Sequence, residues 1–177
     1  GVLNKNAKLS CFSLTGYTGG GKKMITLYED NMPKDYEAPR QYGLTQEHKH
    51  LPEMKVISGI NNFPAFCPIV ANFPQGMEVT VPLFKDDISC DINTIKDIYR
   101  NQYNTKIVHF DDSLSENGFI SANAFAGKDD MSITVYGNKD RILLVSRFDN
   151  LGKGASGAAI QNMNIVLGVD ELTGLNV

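Results

Sequence analysis

His48 and His50 are separated by a single lysine, and Leu51, Pro52 and Glu53 follow directly. Proline suits the first turn of a helix and biases the residue before it toward extended backbone, so this spacing predicts a helix beginning near Pro52. If the lead-in is extended, both imidazoles point to one side, because strand side chains repeat every two residues. The positive end of the helix dipole disfavours imidazolium and favours bound anions. Glu53 in the first turn is placed to orient an imidazole, which suits acid–base chemistry near neutral pH. Two other readings share these residues: a zinc site with Glu53 or His109 as a further ligand, and a polar helix cap on the surface.

Two glycine-rich segments carry partial motifs. Gly16-x-x-x-x-Gly21-Lys22 nearly matches a phosphate-binding P-loop, but Lys23 stands where a Ser or Thr hydroxyl would meet Mg²⁺. Ile25-Thr26-Leu27-Tyr28 reads as β-prone, so the expectation is a loop that binds an oxyanion through Lys22 and Lys23 without a nucleotide. Gly152-x-Gly154-x-x-Gly157 matches the dinucleotide fingerprint, yet too little chain follows for the second strand of a βαβ unit. A glycine-rich start to a closely packed helix fits it better. Cys11, Cys67 and Cys90 are scattered, without a CxxC pair, and read as buried or incidental thiols of a reducing compartment.

The elements that must position these residues follow from periodicity. Strands are expected at 7–14, 40–44, 65–72 (broken by Pro68), 76–84, 107–110, 119–126, 132–136 and 141–148, with a hairpin turn at 137–140. Pro82 points the 76–84 strand toward an edge or an end of the sheet. Residues 15–23 and 28–39 read as loop and surface excursion. Helices are expected after Pro52, after the cap Asp91 with Ile92, Ile95, Tyr99 and Tyr103 on one face, and from Gly154 to Leu167. Strands in consecutive runs, with about three helices, give an α+β fold: a mostly antiparallel, mixed sheet with helices on one face.

Composition bounds the function classes. With 17 basic and 20 acidic residues and a net charge of −3, a strongly electropositive nucleic-acid surface is not expected. No apolar run approaches the roughly 20 residues of a membrane span. The chain starts at Gly1 without an initiator methionine, so it is read as part of something longer.

Three ordered segments carry a resemblance: Leu14-Thr-Gly-Tyr-Thr-Gly-Gly-Gly-Lys-Lys-Met-Ile25, His48-Lys-His-Leu-Pro-Glu-Met54, and Phe148-Asp-Asn-Leu-Gly-Lys-Gly-Ala-Ser-Gly-Ala-Ala-Ile-Gln-Asn-Met-Asn164, with Gly76–Leu83 fitting between them. The chain resembles N-acetyl-gamma-glutamyl-phosphate reductase along essentially its whole length. That resemblance implies a fold similar to the C-terminal domain of glyceraldehyde-3-phosphate and aspartate-semialdehyde dehydrogenases. It implies the NADPH-dependent conversion of N-acetylglutamyl phosphate to the semialdehyde and phosphate, a step of arginine biosynthesis, in the cytoplasm and in a homo-oligomer. In such enzymes a cysteine thiolate attacks the acyl phosphate, hydride reduces the resulting thioester, and a histidine serves as acid–base partner. Neither the family's N-terminal cofactor domain nor its Pro-Gly-Cys-Tyr nucleophile segment is present, and none of the three cysteines matches that segment. Residues 1–148 then correspond to the catalytic and dimerisation domain, and 149–177 to a C-terminal helix that packs on the cofactor domain. The resemblance makes His48 the lead acid–base group, with His50 beside it and Glu53 orienting or binding. It assigns Thr15, Lys22 and Arg40 to the substrate, Asn150, Gly154 and Ala155 to the nicotinamide side of NADP, and no residue to a metal. Alone, the chain is expected to lack activity. The rival reading is a non-enzymatic anion-binding or dimerisation module.

Overall fold

The computed structural model describes residues 1–113 and 116–177. In chain order these form β1 (Ser10–Gly16), α1 (Lys22–Glu29), β2 (Arg40–Gln41), α2 (Leu51–Ser58), β3 (Ala65–Ala71), β4 (Met77–Phe84), α3 (Ile92–Gln102), β5 (Val108–Phe110), β6 (Met131–Gly137), β7 (Arg141–Phe148) and α4 (Gly157–Leu167). The strands make one sheet in the order β2-β3-β1-β4-β7-β6-β5. Two of its six pairings, β1 with β3 and β5 with β6, are parallel, and the other four are antiparallel. The α+β, mixed-sheet expectation therefore holds.

Strand alternation separates two faces. The registers put Cys11, Ser13 and Thr15 of β1 beside Phe66, Pro68 and Val70 of β3 and Val79 and Met77 of β4, and these continue across to Ser146 and Phe148 of β7. The first three helices pack on that face. Leu51 and Met54 of α2 meet Cys11, Phe66, Val79 and Val81. Tyr28, Met24 and Ile25 of α1 meet Tyr17 and Val70. Ile95 of α3 closes the main core with Leu83, Val135 and Ile142, each 5% exposed or less. The opposite face leaves Phe12, Phe84 and Leu143 exposed.

Five expectations are corrected. Residues 22–29, read as loop and β-prone, are helical, because Met24, Ile25 and Tyr28 share a helical face that packs on Tyr17 and Val70; packing overrides the β-branched propensity. The 28–39 excursion therefore begins later, and Tyr28 is buried. Residues 119–126 form no strand: the N–H groups of Ala124 and Ala126 bond to carbonyls three residues back, giving successive turns. Pro82 lies in an internal strand, but β1 pairs β4 only over Met77–Thr80, so the ladder bond that proline lacks is not required on that side. Pro68 likewise leaves β3 unbroken. The remaining elements stand close to expectation, including the Asp91 cap, whose carboxylate accepts from Thr94 N at 2.8 Å, and the turn where Asn138 N donates to Arg141 O.

Truncating Ile142 to alanine should cost about 2–5 kcal/mol by leaving a core cavity. Asp91→Ala should cost only about 1 kcal/mol by removing the helix cap. Urea unfolding of the two variants followed by circular dichroism checks the ranking.

Candidate active site

A cleft of about 430 Å³ opens on the helix-bearing face at the end where β1, β4 and β7 meet the loops. Its floor is apolar: Phe66 and Val70 from β3, Met77 from β4 and Phe148 from β7, with Ser13 and Thr15 of β1 between them. One wall is the turn of Gly19 and Gly20 with Met24 of α1. A second wall is Tyr42, His48, Lys49 and His50. A third is Asn150 and Gly154. The lining holds one lysine and two imidazoles but no carboxylate.

The histidine wall is fastened to the sheet by Gln46, at a positive φ of 58°. Its side-chain amide accepts from Phe66 N at 2.9 Å and donates to Phe66 O at 2.8 Å, so it continues the edge pairing of β3 where the two-residue β2 has already ended. The His48 ring stands edge-on to the Phe66 ring with centroids 4.9 Å apart, and Tyr42 lies 6.0 Å away. His48 Nδ1 accepts from His50 N at 3.3 Å. His50 Nδ1 lies 2.8 Å from Glu53 Oε2 in the first turn of α2. Burial, with His50 and Lys49 as neighbouring positive groups, holds the His48 pKa below its ordinary value. Burial also raises the Tyr42 phenol.

The opposite wall is fastened by Asp149, which is fully buried. Its carboxylate accepts from Gly127 N and Leu151 N at 2.6 Å each and from Gly152 N at 2.8 Å. Asn150, next along, donates to Thr18 Oγ1 at 3.0 Å and accepts from Gly76 N at 2.8 Å, tying three segments together. The chain then makes a π turn, with Gly154 N bonded to Asp149 O, before α4 begins. The fingerprint glycines serve packing. A Cβ on Gly152 would come within 2.2 Å of Lys128 O, and one on Gly157 within 2.2 Å of an Asp129 carboxylate oxygen.

Of the residues expected in a site, the cleft gathers Thr15, His48, His50, Asn150 and Gly154, and Glu53 stands behind His50. Lys22, Arg40 and Ala155 do not line it. Arg40 is held in an aromatic stack instead, its guanidinium 3.1 Å from the Tyr36 ring centre and bonded to Tyr28 OH. In the expected oxyanion loop the N–H groups of Gly16, Tyr17, Thr18 and Gly21 bond backbone carbonyls and are not free to hold an anion, while Gly19 and Gly20 line the cleft. His109 lies on β5 at the far edge of the sheet, and the described residues contain no cluster of three or more metal-ligating side chains. Cys11 is buried, and its thiol is pushed up to about 11, away from nucleophilic use. Sequence reasoning missed Ser13, Tyr42, Lys49 and Gln46. Strand parity from Thr15 points to Ser13; nothing local marks Gln46, whose partner is distant in sequence.

With this geometry in hand, the class is defined: residues 1–150 match the family model "Semialdehyde dehydrogenase, dimerisation domain", and the chain belongs to that family. Solved structures with the same fold include aspartate semialdehyde dehydrogenase II from Vibrio cholerae, with a TM-score of 0.64 at 14% identity over 91% of this chain and 55% of that one. The aspartate semialdehyde dehydrogenase from Francisella tularensis gives 0.62 at 12% identity over 90% and 57%. Among curated proteins, the N-acetyl-gamma-glutamyl-phosphate reductases of Brucella ovis and Brucella suis are each 40% identical over 95% of this chain. The chain spans 57% of the length of those relatives. No helix among the described residues is long and apolar enough to cross a membrane.

His48 should titrate below 6.5, the ordinary value, in NMR of the folded chain. Its proton binds the unfolded state more readily, so stability falls as pH drops from about 6.5 toward the native value. His48→Gln should flatten that acid dependence in urea titrations at successive pH values.

Proposed function

We propose that this chain is the catalytic and dimerisation part of an NADP-dependent N-acetyl-gamma-glutamyl-phosphate reductase of arginine biosynthesis, acting in the cytoplasm. The observation that carries the reading is the cleft: two histidines, a lysine and neutral donors converge there without a carboxylate in the lining. An acyl phosphate is anionic at both ends, and such a lining attracts it while supplying acid–base groups. The 40% identity to reductases of that name favours this substrate over others of the same class.

Within the cleft, Lys49 offers the countercharge for phosphate or carboxylate, Thr15 a hydroxyl on the floor, and the histidines the proton traffic. Lys22 and Arg40 remain substrate candidates only through the resemblance. The attacking thiol comes from outside this chain, since Cys11 is protonated and buried, Cys67 alternates onto the other face of the sheet and Cys90 packs against the core around Ile95, away from the cleft lining. NADP supplies the hydride when bound. The glycine-rich turn does not fit the phosphates of a dinucleotide: a Cβ-sized group at Gly152 or Gly157 would already meet Lys128 O or the Asp129 carboxylate. Asn150 and Gly154 in the lining, with Ala155 next to them in the chain, are candidates for one edge of the cofactor, and no reaction step is derived through it.

The domain assignment extends this reading. The open sheet face with Phe12, Phe84 and Leu143 is the proposed dimer surface, and α4, with Val166 and Leu167 mostly exposed, the surface for the cofactor domain.

Two measurements test the proposal. The complete reductase containing this chain should reduce N-acetylglutamyl phosphate with NADPH, while the 177-residue chain alone should show no turnover; a complete protein without turnover points to a binding module instead. Leu143→Asp, placing a charge at the centre of the open face, should shift sedimentation from dimer to monomer; an unchanged dimer removes this face from the interface.

A further inference from the structure

We infer that the two histidines divide the chemistry unequally: His50, backed by Glu53, carries the proton, and His48 acts as a neutral hydrogen-bond donor to the oxygen on which negative charge develops. The inference rests on the reductase reading and assigns roles that the resemblance leaves open.

The argument is the polarity of the partner at each Nδ1. Glu53 Oε2, 2.8 Å from His50 Nδ1, only accepts, so that nitrogen bears the hydrogen and Nε2 keeps its lone pair. The partner of His48 Nδ1 is the backbone N–H of His50, at 3.3 Å, which only donates. That nitrogen therefore holds the lone pair, and Nε2 bears the hydrogen. Adjacent histidines on one short segment are thus locked in opposite tautomers. Protonating His48 would turn an N–H against an N–H, beside Lys49 and against the Phe66 ring. The groups around His48 are Lys49, His50, Tyr42 and Phe66, with Glu47 beside it along a second groove; among the described residues no carboxylate is hydrogen-bonded to its ring. Protonating His50 puts the new charge beside Glu53 instead. The two rings are 5.1 Å apart between centroids and share one wall of the cleft, close enough for both to serve one substrate group.

In the proposed reaction the S–H bond of the attacking thiol breaks and its proton passes to His50 Nε2. The sulfur pair bonds the acyl carbon, and the carbonyl π pair moves to oxygen, where the Nε2–H of His48 holds it. When that pair returns, the carbon–phosphate C–O bond breaks. The phosphate leaves with the bonding electrons and takes the proton back from His50. A thioester is left and His50 is neutral again.

The test uses glutamine, which retains an N–H donor but cannot carry a proton between groups. In the complete reductase, His50→Ala and His50→Gln should both lower kcat by about 100-fold or more. His48→Ala should lower kcat by about 100-fold, and His48→Gln should recover roughly tenfold of that loss, as expected for an oxyanion donor. Glu53→Gln should lower kcat about tenfold, since the carboxylate that orients His50 through Nδ1 is gone. If His48→Gln is as inactive as His48→Ala while His50→Gln retains activity, the roles are reversed; the inference fails and the reductase reading stands. If all five variants turn over like the parent, the reductase reading of this cleft fails and takes the inference with it. Long-range ¹H–¹⁵N NMR of the 177-residue chain at pH 8 tests the division without turnover. It should find hydrogen on Nε2 of His48 and on Nδ1 of His50, and the reverse pattern overturns the inference.

Discussion

The parallel pairing of β1 with β3 is the constraint from which the cleft follows. Adjacent parallel strands cannot be joined by a tight turn; the chain must leave one end of the sheet and return to the other over a face. Residues 17–64 make that crossover, and they contain α1, β2, α2 and both site histidines. The crossover lies on the face where Cys11, Ser13 and Thr15 point, so a strand alternation set by core packing also decides which β1 side chains meet the imidazoles. A one-residue slip of β1 would exchange Ser13 and Thr15 for Phe12 and Leu14 and close the floor of the cleft.

Two fastenings hold the rims open at a fixed distance, and they use different physics. Gln46 borrows the ladder of β3: a side-chain amide stands in for a peptide group at the point where the neighbouring strand has ended. Asp149 is a buried carboxylate satisfied by three backbone N–H groups, an arrangement strong enough to keep a charge out of water and to bend the chain into the π turn that follows. Removing either partner set leaves buried polar groups unpaired, which costs more than the bonds contribute when made. Both fastenings lie one or two residues from a side chain on the cleft wall, so local distortion at either reaches the site directly.

Much of this was legible in the sequence, and the limits have physical causes. The proline-marked helix after the histidines and the small-residue start of α4 are local features, and they read correctly because local chemistry decides them. The helix α1 was not legible: Ile25, Thr26 and Tyr28 favour strand by propensity, and only the distant partners Tyr17 and Val70 make a helical face worth burying. Residues 119–126 failed in the opposite sense, since an apolar run is equally served by turns that bury Ala122 without a ladder. Arg40 and Lys22 looked like anion ligands by type. Arg40 is instead committed to Tyr28 and Tyr36, and Lys22 opens α1 outside the lining, and neither outcome follows from spacing. The tautomers of His48 and His50 belong to a third category: the residue types permit either, and only the backbone path between residues 48 and 53 selects.

The same backbone path bears on how the proposed site would meet an anion in a chain of net charge −3. Lining a partly apolar cleft with several ammonium or guanidinium groups would require desolvating each of them, and like charges would raise the cost further. The cleft instead combines one lysine, which keeps a single countercharge, with neutral groups: the Tyr42 phenol and, in the inferred division of roles, the His48 imidazole, while the Thr15 hydroxyl donates to Gly16 O. Neutral donors are cheaper to bury. They strengthen toward an oxygen as its negative charge grows, so they favour a developing oxyanion over the ground-state carbonyl. Keeping Glu53 behind His50 rather than in the lining completes the arrangement. In the proposed reaction the carboxylate orients the His50 ring through Nδ1 without entering the lining.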